Sequence, residues 1–126
     1  KHKNWFYYKK TLPRNLFINL MRHSKLLIGN SSMGILEAPY YKLPVINIGN
    51  RQKGRYNAGN VKFVKYNSIN IFSALVDSCF NDKYIKKIKN IKNPYGDKLS
   101  VNRILKAIKS VDLNNQKWYI KRNKFS

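Results

Sequence analysis

Glutamate occurs once in this chain, at Glu37, and cysteine once, at Cys79. Acidic residues number only 5 among 126, against 26 Lys plus Arg, for a formal net charge of +21. The single cysteine excludes an internal disulfide. No apolar run is long enough to span a bilayer. The first residues, KHKNWFYYKK, are basic but lack the apolar core of a secretory signal. No spacing of His, Cys, Asp or Glu suits a metal ion, and no internal repeat is evident. The expected setting is therefore reducing and cytoplasmic, with no cofactor implied. The shortage of acid favours an anionic ligand, and such a charge commonly marks nucleic-acid binding. The lysines are spread along the chain, however, and Asn and Ile are also plentiful, which reads as a composition bias as much as a patch.

What is present is enough for one domain: 126 residues, 43% of them hydrophobic. Trp5–Tyr8 reads as a short aromatic strand. Leu12, Leu16, Phe17, Leu20 and Met21 recur at helical spacing, so a helix is expected from Pro13 to His23. A strand is expected near Leu26–Ile28, a helix near Ser32–Tyr41, and strands at Val45–Ile48 and Val61–Val64. Ile69, Phe72, Leu75, Val76 and Cys79 mark the apolar face of a helix over Ser68–Phe80, with Cys79 read as inert core. A lysine-rich helix follows over Asp82–Ile91, broken at Asn93-Pro94-Tyr95-Gly96, and a last amphipathic helix carries Val101, Ile104, Leu105, Ile108 and Val111. Strands alternating with helices predict an α/β parallel sheet over residues 1–112. The basic tail, 113–126, reads as either a docking segment or disordered chain.

The stretch Leu26–Arg55 organises the rest. A short strand ends at Gly29, and Asn30, Ser31 and Ser32 follow as helix N-cap residue types. The second strand ends at Gly49, and Arg51, Gln52, Lys53 and Arg55 follow in a basic loop. Both turns emerge at the carboxyl ends of parallel strands, where open α/β sheets bind ligands. Ser31 and Ser32 serve either as ordinary caps or as phosphate ligands beside backbone N–H groups. Gly34 is either a close-approach residue or a tolerated helix glycine costing about 1 kcal/mol against Ala. Glu37 is either a helix-dipole partner or a carboxylate placed to accept two ribose hydroxyls. Arg51 and Arg55 fit phosphate oxygens bidentately, or else lie in a solvated basic loop. Gln52 and Asn47 are lesser candidates. Tyr95 and Asp97 either line the cleft or form an ordinary turn. His2 and His23 read as surface residues.

The string Gly29-Asn30-Ser31-Ser32, Gly34, Glu37-Ala38-Pro39, then Pro44-Val45-Ile46-Asn47-Ile48-Gly49, Arg51-Gln52, Gly54-Arg55 and Asn60-Val61 resembles the hydrolysing UDP-N-acetylglucosamine 2-epimerase family, in its sialic-acid-type branch. Asn93-Pro94-Tyr95-Gly96-Asp97 is a second match, although Lys98-Leu99-Ser100 departs from the small residues the family carries there. The resemblance implies a two-domain GT-B enzyme, of which this chain is a partial Rossmann-like C-terminal domain, its later part. It implies a UDP-sugar as the ligand, with Ser31, Ser32, Gly34, Glu37, Arg51, Gln52 and Arg55 holding UDP and Glu37 on the ribose. The groups that move protons at the sugar would belong to an N-terminal domain not among these residues, so no catalytic residue is assigned here. Homo-oligomerisation of the full enzyme is also implied. Epimerisation of a UDP-diacetamido sugar and GT-B glycosyl transfer are the alternatives within the fold. A basic nucleic-acid-binding module is the alternative from another class, and specific nucleic-acid binding is not expected.

Overall fold

The structure is a computed structural model that describes residues 5–97, 99–112 and 114–115. Its elements run α1 (Arg14–His23), β1 (Leu27–Gly29), α2 (Met33–Leu36), a 3-10 turn (Ala38–Tyr41), β2 (Val45–Ile48), β3 (Val61–Val64), α3 (Ser68–Phe80), α4 (Asp82–Asn90) and α5 (Ser100–Ser110). The chain divides into two compact units, Lys1–Tyr95 and Gly96–Ser126. The predicted tail lies mostly outside the described residues. Among the described residues no helix is long and apolar enough to cross a membrane.

The first unit is built on a parallel sheet in the order β1-β2-β3. Ile46 pairs with Ile28 on one side and with Lys62 on the other. The middle strand is buried along Val45, Ile46 and Asn47, which is why it reads as an apolar run instead of an alternation. Neighbouring residues of a strand point to opposite faces, so the sheet has two different coverings. On one face Val45 and Val61 pack with Met21 of α1 and with Ala38 and Leu43. Phe17, Leu27, Met33 and Tyr41 close that cluster. On the other face Lys62 ion-pairs with Asp77 of α3, and Asp77 also accepts from Asn81 Nδ2 at 2.6 Å. Lys62 and Asn81, in that order, hold the Asp77 carboxyl below its ordinary value. Tyr84 of α4 lies under the Lys62 ammonium and donates its hydroxyl to Asn60 O at 3.0 Å. Burial, with Asp77 adding to it, pushes that hydroxyl up to about 12.

Local sequence accounts for most of the boundaries. Asn67 Oδ1 accepts from the amides of Ile69 and Asn70 and opens α3; Asn81 Oδ1 accepts from Tyr84 N and opens α4. Three expectations are corrected. Trp5–Tyr8 forms no strand and is solvent-exposed; a strand is held by its ladder, and no described strand pairs with it. The helix expected over Ser32–Tyr41 breaks after one turn, because Pro39 carries no N–H and its ring opposes the carbonyl four residues back; the chain tightens into a 3-10 turn. On α3 the buried residues are Ala74 and Ser78, whereas Ile69, Phe72 and Val76 are exposed and Cys79 is half-buried. Small side chains let that helix lie close to the sheet, and the larger apolar stripe is left outside.

The second unit is described through α5 and the turn before it. Arg103 grips Asp97 with both guanidinium nitrogens, at 3.0 and 2.5 Å, and this holds the Asp97 carboxyl below its ordinary value. Val101, Ile104, Leu105 and Ile108 of α5 are exposed.

Candidate functional site

Two loops leave the carboxyl edge of the sheet side by side. Register puts Gly29, the last residue of β1, opposite Asn47 of β2. The loop after β1 turns through Asn30, Ser31 and Ser32. Ser31 Oγ accepts from Met33 N at 3.3 Å, so Ser31 is the serine whose side chain turns back on the helix start. Ser32 occupies the cap position but makes no side-chain capping bond. Neither observation spends the Ser32 hydroxyl.

The loop after β2 begins at Gly49, whose φ of 84° is a left-handed conformation that suits glycine. A Cβ there would also fall 2.3 Å from the Tyr66 hydroxyl. Asn47 Nδ2 donates to Gly49 O at 3.0 Å and fixes the exit from the strand. Two turns follow, Lys53 N to Asn50 O at 3.0 Å and Arg55 N to Gln52 O at 3.3 Å. They turn Gln52 inward while Arg51 and Arg55 remain exposed.

Gln52 ties the two loops together. It is 2% exposed, and its Nε2 donates to Asn30 O at 3.1 Å. Its Oε1 has no partner among the described residues. A long polar side chain is buried only where its bonds repay the lost solvation. Here that bond fixes the basic loop beside the serine turn. The arrangement brings Ser31, Ser32, Arg51 and Arg55 to one edge, and no ion pair among the described residues engages either arginine.

Gly34 is buried beneath this edge. A Cβ on it would lie 2.7 Å from Val45 Cγ1, so the close approach it permits is that of α2 to β2. Glu37 closes α2 and opens the 3-10 turn that follows, so it does not sit in the first turn of α2. Its Oε2 receives Arg14 Nη2 at 2.5 Å, and Arg14 is raised above its ordinary value mainly by that hydrogen bond. Tyr95 donates its hydroxyl to Tyr56 O at 2.6 Å and so ties the Asn93–Tyr95 segment to the end of the basic loop. Asp97 is engaged by Arg103.

Two residues of this frame were not singled out for these contacts. Arg14 is one cation among 26, and nothing in the local pattern marks it as the partner of the only glutamate. Asn60 is fully buried, and its Nδ2 donates to Gly34 O and Leu43 O at 3.1 Å each, which pins α2 and the turn before β2. Its place in the matching Asn60-Val61 pair was the available signal. Among the described residues no cluster of His, Cys, Asp and Glu could hold a metal ion.

A three-stranded parallel α/β sheet with a serine turn and a basic loop side by side at its carboxyl edge is a partial Rossmann-like fold of the GT-B-like kind. The chain matches the UDP-N-acetylglucosamine 2-epimerase family over residues 2–109 and belongs to it. It is 40% identical over 68 residues to a UDP-N-acetylglucosamine 2-epimerase of Neisseria meningitidis, covering 54% of this chain and 18% of that protein. It is 35% identical over 107 residues to a UDP-N,N'-diacetylbacillosamine 2-epimerase (hydrolyzing) of Legionella pneumophila, covering 85% of this chain and 27% of that one. The crystal structure of a putative UDP-N-acetylglucosamine 2-epimerase from Listeria monocytogenes superimposes with a TM-score of 0.68 at 33% identity, covering 79% of this chain and 27% of that one. The chain thus spans between 18% and 27% of the length of these relatives.

Proposed function

We propose that this chain is the UDP-binding portion of a hydrolysing UDP-N-acetylglucosamine 2-epimerase of the cytoplasmic sugar-nucleotide kind, whose full form gives N-acetylmannosamine and UDP. The observation that carries the reading is the Gln52 bond to Asn30, which clamps the serine turn and the basic loop around one edge of the sheet. Arg51 and Arg55 supply planar donors for the diphosphate oxygens, and the serine hydroxyls add further donors. Glu37 accepts the ribose hydroxyls. A carboxylate offers about four lone-pair sites, so the single Arg14 contact orients Glu37 and leaves acceptors for the sugar.

The chemistry follows from charge. Loss of a proton at sugar C2 and cleavage of the bond between C1 and the diphosphate oxygen leave negative charge on departing UDP. Fixed donors at Arg51, Ser31 and Ser32 stabilise that charge as it develops. Water then adds to the unsaturated sugar, giving the epimerised free sugar. The proton transfers are the work of groups outside these residues, so the 126-residue chain alone turns over no UDP-sugar. The name of the Legionella relative supports a second reading, in which the sugar is a UDP-diacetamido sugar. Sialic-acid-type synthesis is the branch that the sequence motifs favour.

Calorimetric titration with UDP and with duplex DNA, each at two salt concentrations, tests the reading. Saturable UDP binding weakened about tenfold by Arg51→Ala is expected, the size of one charge-assisted hydrogen bond. Salt-resistant, saturable DNA binding that UDP does not displace would sink it in favour of a nucleic-acid module. Release of free UDP by the full-length protein from each of the two UDP-sugars separates the substrates.

A further inference from the structure

Glu37 is held from two directions. Its backbone is fixed where α2 meets the 3-10 turn: Glu37 N donates to Met33 O at 2.9 Å, and Glu37 O accepts from Tyr40 N at 3.0 Å. The next residue, Ala38, is fully buried in the apolar cluster. What remains free is a flexible side chain ending in a carboxylate that is 35% exposed. Arg14, at the start of α1, takes up that freedom, because its Nη2 donates to Glu37 Oε2 at 2.5 Å.

Arg14 is itself anchored. Its guanidinium carbon lies 5.8 Å from the centroid of the Phe17 ring, about one turn further along α1. Phe17 in turn packs against the cluster of Met21, Ala38, Leu43 and Val45. The cation therefore rests on a platform that belongs to the core, and it grips the carboxylate through one oxygen. A carboxylate has about four lone-pair sites, so acceptors remain on Glu37. An exposed ion pair contributes little to stability, so the consequence of this one is direction. Ser32 and Glu37 bracket the single turn of α2. At about 1.5 Å of rise per residue they lie roughly 7 Å apart along its axis, a span that suits the diphosphate and the ribose diol of one nucleotide.

We propose that Arg14 is a positioning residue for ribonucleotide recognition, a role that rests on the reading of Glu37 as the ribose ligand. Arg14 holds Oε2, so Oε1 meets the 2′- and 3′-hydroxyls in one orientation. The rotamer freedom of Glu37 is then lost before binding instead of at binding. Arg14 itself touches no part of the nucleotide. The outcome is selectivity for a ribose over a 2′-deoxyribose, and not a general affinity for anions.

Calorimetric titration of the full chain with UDP and with 2′-deoxy-UDP reads this selectivity as a ratio of dissociation constants. Any attraction common to both diphosphates cancels in that ratio. Wild type should prefer UDP by about tenfold or more, the size of one hydrogen bond to a charged group. Glu37→Ala should bring the ratio close to one. Arg14→Ala should lower it about threefold, the cost of ordering one side chain at binding. The same variant should keep the wild-type unfolding midpoint, as an exposed pair implies. In the Glu37→Ala background, Arg14→Ala should change the ratio no further. A ratio in Arg14→Ala equal to that of wild type overturns the proposal and leaves Glu37 its ribose role. Equal weakening of both nucleotides with a lowered midpoint also overturns it, since that is loss of structure. A wild-type ratio near one, or no saturable UDP binding, overturns the ribose reading of Glu37 and the role of Arg14 with it.

Discussion

The two faces of the sheet are covered by different chemistry. One face rests on Met21, Ala38, Leu43 and Val45, an apolar cluster in which helix and turn meet the strands directly. The other carries small residues of α3 and a polar chain from Asn81 and Asp77 through Lys62 to Tyr84 and Asn60. The first face draws its stability from area removed from water, a term that needs no direction. The second depends on bonds that form only when backbone and side chains are already in place, and whose loss leaves a buried group unpaired. Both loops of the carboxyl edge grow from this frame. Asn60 joins its two sides, since it bonds α2 by its side chain and Tyr84 by its carbonyl.

Substitution should separate the two faces. Leu43→Ala, in the apolar cluster, should cost about 2–5 kcal/mol in urea unfolding. A smaller cost for Leu43→Ala than for any change on the polar face would break the comparison. Gly34→Ala adds a methyl 2.7 Å from Val45 Cγ1 and should cost about 1–3 kcal/mol by overpacking, even though alanine is the better helix former. Calorimetric unfolding of that variant at an unchanged midpoint would place Gly34 outside the packing frame.

On the polar face, Tyr84→Phe should cost about 1 kcal/mol at neutral pH. The folded hydroxyl titrates above the unfolded one, so the stability it contributes is full below pH about 10 and is lost as pH rises through about 12. The gap between wild type and Tyr84→Phe should therefore close in that alkaline window, read as thermal midpoints against pH. Asp77 behaves in the opposite sense. Its folded value is depressed, so its contribution is present above the ordinary carboxylate range and is lost as pH falls through the folded value. The effect should be the smallest of the four, because the carboxylate is exposed and screened. Midpoints measured from pH 6 to pH 2 should fall more steeply in wild type than in Asp77→Asn.

The contrast also explains what could be read in advance. β2 was legible because Val45-Ile46-Asn47-Ile48 lies between Pro44 and Gly49, and α3 because Ile69, Phe72, Leu75, Val76 and Cys79 recur at helical spacing. The place of Ser31, Ser32, Arg51 and Arg55 just after strand ends was legible because strand ends and turn chemistry are local. The orientation of α3 was not, since its largest apolar stripe lost to the small residues Ala74 and Ser78 in the contest for the sheet. Pro39 was visible in the sequence, and its missing N–H and its ring are what split the expected central helix. Trp5–Tyr8 had the composition of a strand without a partner in register.

By itself the sequence determined the alternation of strands and helices, the scarcity of acid and the two loops that follow β1 and β2, because each follows from residue type over a few neighbours. Tertiary structure alone decided that Gln52 would bind Asn30, that Arg14 would find Glu37, and that Asn60 would bond Gly34 and Leu43. Those pairings join residues far apart in the chain, and local propensity carries no information about which distant group a side chain will meet.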